Sequence, residues 1–166
     1  MRVAGSQSLS NKALDHMAWS NQIFFENISK LPEEIYAYQV SKTEWQVGKV
    51  LTHFVGAAEW YRYCLTGVQW TKLHKVTNHQ ELLEYKKYLG ELDQAIIYEA
   101  NKEDRVLEIK DESGTFKAKA STILTQVISH TAEHKGQIST ILASKGISFS
   151  LDDLDVWSYA KANEQI

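Results

Sequence analysis

STILTQVISHTAEHKGQISTILASKG, residues 121–146, reads as one long amphipathic helix. Ile123, Val127, Ile128, Ile138, Ile141 and Leu142 recur at three- and four-residue steps, which places them on one face of a 3.6-residue helix. Ser121 or Thr122 stands where an N-cap belongs, and Gly146, after Lys145, is the stop. Two imidazoles interrupt the apolar stripe, because His130 and His134 lie in line with Val127 and Ile138. Residues four apart on a helix point within about 40° of each other, one turn apart, a spacing at which two histidines can share one metal ion. A stripe of this length must be buried against other helices.

Three more stripes stand upstream. The first helix is expected from about Leu9 to Leu31, with Leu14, Met17, Ala18, Phe24, Phe25 and Ile28 inward and Ser8 or Ser10 as its cap. Leu31-Pro32 ends it, because proline pushes the residue before it out of helical geometry. The segment 33–46 is ambiguous, although Ser41 and Glu44 have the spacing of a capping box. From Val47 the pattern is helical again, through Val50, Leu51, Phe54, Ala57, Ala58, Tyr61 and Leu65, and Gly67 is a plausible stop. A loop is expected over Val68–Thr77. A third helix follows over about His79–Asn101, capped by Asn78 with Glu81 three residues on, its stripe being Leu82, Tyr85, Leu89, Leu92 and Ile96.

The period then changes. Val106 to Lys110 and Thr115 to Lys119 alternate loosely about the turn signal Asp111-Glu112-Ser113-Gly114, which reads as a short hairpin just before the fourth helix. A last short helix over about Leu151–Ala162 carries Leu154, Trp157 and Tyr159, with Ser150 and Asp153 at cap spacing. The fold class is therefore all-α: a four-helix bundle with a small β-hairpin and a short C-terminal helix.

Composition bounds the function. The chain has 166 residues, 43% hydrophobic and 23% charged, so residues 1–166 are expected to form a single globular domain. One cysteine, Cys64, excludes an intrachain disulfide and a cluster of thiolate ligands. Among Tyr61, Tyr63 and Leu65 it reads as a small core residue rather than a nucleophile. The net charge is −3, and no basic run exceeds Lys86-Lys87, so the basic stripe that nucleic acid requires is missing. No stretch of about 18 apolar residues spans a membrane, and MRVAGSQSLS at the N-terminus has no apolar signal core. The expectation is a cytoplasmic protein that binds neither membrane nor nucleic acid.

His53 interrupts the second stripe as His130 and His134 interrupt the fourth, flanked at helical steps by Val50, Ala57 and Tyr61. A lone buried histidine is more often a satisfied core residue than a ligand. Antiparallel packing of the two helices would bring all three together. Three neutral imidazoles suit a borderline divalent ion such as zinc or nickel and leave a position open for water or substrate. His16, His74 and His79 read as surface, loop or cap residues. His130-Thr131-Ala132-Glu133-His134 also matches H-x-x-E-H, a peptidase signature in which the glutamate is a general base. Only Glu164 is left downstream as a carboxylate ligand of that glutamate type, so Glu133 reads instead as an exposed charge. Gln137, one turn beyond His134, is a candidate partner for that ring's other nitrogen.

With these residues in place, the chain resembles the DinB/YfiT-like superfamily of small bacterial four-helix proteins over nearly its whole length. The resemblance rests on Met17-Ala18-Trp19-Ser20-Asn21, on Val50-Leu51-Thr52-His53 through Ala57-Ala58-Glu59, and on His130 through Gln137 with Lys135 where the family usually has Arg. It implies an up-down-down-up bundle, a divalent metal held by His53, His130 and His134, and frequent homodimers. Since characterised relatives include thiol S-transferases, it also implies a metal-dependent enzyme that transfers a low-molecular-weight thiol to a small electrophilic substrate. A metal-dependent hydrolase and a non-catalytic helical dimer are the alternatives.

Overall fold

The computed structural model describes the backbone of residues 9–166 and the side chains of residues 11–166. Helix α1 spans Leu9–Ile28, α2 Val47–Thr66, α3 His79–Ala100 and α4 Ala120–Ser144. Strands β1 (Val106–Asp111) and β2 (Gly114–Lys119) form the hairpin before α4, and α5 (Val156–Ala162) closes the chain. The hairpin is antiparallel, with Val106 opposite Lys119 and Asp111 opposite Gly114. Its turn is held by Asp111 Oδ1, which accepts from the backbone N–H of Ser113 and Gly114.

The bundle is a ring in the order α1, α3, α2, α4. Helix α1 runs antiparallel to α3, since Asn11 meets Asn101 at one end and Gln22 meets Lys86 at the other. Helix α4 runs parallel to α1 (Leu14 and Met17 share a cluster with Ile123 and Val127, and Ser20 meets Lys135) and antiparallel to α2 through the histidines. That is the up-down-down-up arrangement.

The core divides in two along the bundle axis. One cluster gathers Phe24, Phe25, Val50, Leu51, Phe54, Leu89, Ile138 and their neighbours. The other gathers Leu14, Met17, Leu65, Ile96, Ile123 and Val127. Between them in sequence on each helix stand the buried polar residues Ser20 and Asn21 on α1, Glu59 on α2, Asp93 on α3, and Thr131, His134 and Lys135 on α4. Such a layer needs internal partners, because an unpaired buried polar group is costly.

The inward stripes of all four helices are buried as expected, apart from the half-buried Tyr61 and Ile128. The helix ends differ more. Helix α1 stops at Ile28, and Pro32 leads into a short 3-10 helix over Glu33–Ala37. Ser8 lies outside the described residues, and Ser10 is within the helix rather than at its cap. No helix starts at Ser41: its carbonyl accepts from the Glu44 N–H in a turn, and α2 begins only at Val47. Asn78 caps α3 by accepting from the Glu81 N–H, while the Glu81 carboxylate reaches back to Thr77. Neither Ser121 nor Thr122 is the N-cap of α4. Both lie inside it, and Asp104 supplies the cap by accepting from Ser121 N–H and Oγ–H.

Gly67 and Gly146 take φ +76°, a left-handed turn that costs a side chain strain. At Gly146 the flanking amides bond back in a full Schellman pattern, Ile147 N–H to Leu142 and Gly146 N–H to Ala143. The expected last helix is two pieces, a 3-10 turn at Asp152–Leu154 and then α5, because Asp155 rather than Ser150 caps α5. Trp157 is 69% exposed there and does not pack inward, unlike Leu154 and Tyr159. Among the described residues no helix is long and apolar enough to cross a membrane.

Candidate metal centre

The antiparallel contact of α2 with α4 brings the three stripe-breaking histidines together. The Nε2 atoms of His53 and His130 are 3.1 Å apart, and those of His130 and His134 are 3.0 Å apart. One ligand-capable nitrogen from each of the three falls within 4.8 Å of the others. His134 is buried, and His53 and His130 are half-buried.

Hydrogen bonding within the cluster cannot satisfy these contacts. Gln137 Oε1 lies 2.7 Å from His134 Nδ1. An amide oxygen only accepts, so this contact places the proton of neutral His134 on Nδ1 and leaves a lone pair on Nε2. His130 Nε2 then faces two other ring nitrogens, yet it carries at most one hydrogen. A cation at the convergence of the lone pairs suits this donor set. Ligands 2.0–2.1 Å from a tetrahedral zinc lie about 3.3 Å apart, a few tenths of an ångström from the spacing found.

Burial holds His53 and His130 in their neutral, ligating form. Desolvation lowers the His130 pKa to about 4, with the neighbouring His134 and His53 adding to the effect. His53 is lowered by the same desolvation, then by His134 and the Lys49 ammonium, while Glu133 opposes them. His130 Nδ1 is buried without a hydrogen-bond partner, so on that side the ring is held by packing. Its neighbour is Tyr61, whose ring meets it edge-on at 5.7 Å. Burial raises the Tyr61 phenol and keeps it protonated.

The other sequence expectations sort clearly. Gln137 bonds the second nitrogen of His134 as its spacing suggested. Glu133 is exposed, and the third imidazole comes from α2 rather than a carboxylate from a following helix, so the H-x-x-E-H peptidase geometry is not built. Lys135 points away from the cluster, its Nζ donating to Ser20 on α1. His16 bonds the Leu154 carbonyl, His79 bonds the Tyr36 hydroxyl, and His74 pairs with Glu81, all outside the cluster. Cys64 is buried and its thiol is pushed up to about 11, so it holds no ready thiolate.

Glu59 is 1% exposed and serves as a clamp, accepting from Thr71 and from the Tyr88 hydroxyl on the side of α2 away from α4. Trp45 is a site residue that the sequence did not reveal. It precedes α2, packs edge-on against His53 at 4.9 Å, and has Lys49 over its ring. Trp45 and Gln137 also line a cavity of about 310 Å³ with Val40, Thr140 and Ile141.

Two comparisons bear on this arrangement. A family model described as the DinB family matches residues 5–160. Protein DinB of Bacillus subtilis (strain 168) is 24% identical over 166 residues, covering 93% of this chain and 96% of its own length.

Proposed function

This chain belongs to the DinB family, and from that premise we propose that His53, His130 and His134 bind one divalent metal ion through their Nε2 atoms. Zinc and nickel come first for three neutral imidazoles. We propose further that the metal-loaded protein transfers a low-molecular-weight thiol to a small electrophile. The observation that carries the reading is the convergence of three Nε2 atoms, with Gln137 setting the tautomer of His134.

When bound, the cation supplies Lewis acidity that lowers the pKa of a coordinating thiol or water. The chain's own residues do the rest. Gln137 orients the His134 ring, and burial keeps His53 and His130 unprotonated. Trp45 and Tyr61 wall the cluster with aromatic surface, and the cavity beside Trp45 has room for the body of a small substrate.

The test is elemental analysis of untagged protein purified without chelator. Wild type should carry close to one divalent metal per chain, and His53→Ala and His134→Ala should carry none. Loaded protein is then offered a thiol and an electrophile. Turnover that requires the thiol supports transfer, and turnover without it reassigns the site to hydrolysis. Failure of wild type to take up zinc, nickel or manganese overturns both. The homodimer implied by the family is checked by sedimentation of the same sample.

A further inference from the structure

Across the bundle from the histidines, α1, α3 and α5 border an open cavity of about 320 Å³. Its chemistry is one-sided. Among the described residues, Asp93 and Asp15 line it with carboxylates and Gln22, Gln94 and Asn163 with carboxamides, and no lysine or arginine does. Trp19, Tyr159, Ala18 and Ile97 supply apolar surface, the two aromatic rings meeting edge-on at 5.5 Å.

Asp93 is the informative residue. It is 1% exposed, and of its two oxygens only Oδ2 has a partner, the Asn21 amide at 3.0 Å. Asp93 Oδ1 is buried with no hydrogen-bond donor, and so is the neighbouring Asn21 Oδ1. Lys135 acts on Asp93 through its charge, while the hydrogen bond its ammonium makes goes to Ser20. A buried carboxylate with an empty acceptor site is expensive unless something supplies the missing donor.

We propose that this cavity is a binding site for a small primary alkylammonium, whose NH3+ donates to Asp93 Oδ1 and whose hydrocarbon stem lies against Trp19, Ala18 and Ile97. An ammonium has three donors and a compact positive charge. Aromatic faces attract it and apolar surface accommodates its stem. The volume suits a ligand at the small end of the usual pocket range.

The experiment is calorimetric titration of the full-length protein at pH 8 with n-butylammonium, with butan-1-ol and butyrate as neutral and anionic controls. The ammonium should bind at least tenfold more tightly than either control. Asp93→Asn, which keeps the shape and the Asn21 contact, should weaken it at least tenfold. Gln94→Lys, at an exposed lining position, should do the same without touching the buried layer. Equal binding by wild type and both variants overturns the proposal. So does binding lost in His130→Ala but kept in Asp93→Asn, which would place the amine at the histidine cluster. No preference over butan-1-ol also overturns it.

Discussion

Gln137 touches neither His53 nor His130, yet its amide oxygen decides which nitrogen of His134 carries a proton. Removing such a partner typically costs 10–100-fold in metal affinity while the ligands stay in place. Gln137→Ala should therefore bind metal about 10–100-fold more weakly than wild type in competition with a chromophoric chelator, with thermal unfolding little changed. Equal affinity would mean that the contact is incidental. Both Gln137 and the three histidines were legible in the sequence, because imidazoles interrupting two apolar stripes cannot be left unpartnered. Trp45 was not, since it lies in an aperiodic segment and reaches His53 only after α2 is folded and packed. Asp93 was silent for a related reason. A single acid on a helix looks solvated until its partner Asn21, 72 residues away, is seen.

At the scale of elements, periodicity located the four long helices and the hairpin, and the errors collect at their ends. Helix ends are set by whichever group satisfies the free amides, and that group need not be adjacent in sequence. Helix α4 is the clear case, capped by Asp104 from before the hairpin. Asp104→Ala should lower the urea midpoint of unfolding relative to wild type. The Asp104 carboxyl, held below its ordinary range by these Ser121 bonds, points the same way. A larger effect is expected where the segment 68–77 crosses the start of α2. A Cβ on Gly48 would stand 2.1 Å from the Val76 carbonyl oxygen and 3.1 Å from that of Tyr36. Both obstacles are backbone, and Val76 is pinned by its N–H to Thr52 Oγ1. Gly48→Ala should cost about 1–3 kcal/mol, whereas Gly136→Ala, with open space around its Cβ, should be neutral or stabilising. Equal unfolding midpoints for the two variants would contradict the close approach.

The whole molecule is two apolar clusters joined through a polar layer, and that layer makes stability respond to pH. Burial raises the Asp93 carboxyl from 3.8 to about 7, opposed in part by the Asn21 hydrogen bond and the Lys135 charge. Between about pH 4 and 7 the folded protein therefore holds a proton that the unfolded chain has released, so this residue's contribution to stability falls as pH rises and levels off above 7. The charged neighbour stays constant through that window, because burial lowers Lys135 only to about 8. The histidines titrate in the opposite sense: His53 and His130 are depressed in the folded state, so their contribution improves as pH rises toward 6.5, starting for His130 from about 4. Wild-type stability is the sum and need not be monotonic. The difference between wild type and Asp93→Asn isolates the carboxyl, since the histidines are common to both. Measured by urea unfolding of metal-free protein, the advantage of wild type over Asp93→Asn should be at least about 1 kcal/mol greater at pH 5 than at pH 7.5. A difference that does not change with pH would mean that Asp93 is ionised across the whole range, and that the polar layer finds its missing donor by some route other than a proton on this residue.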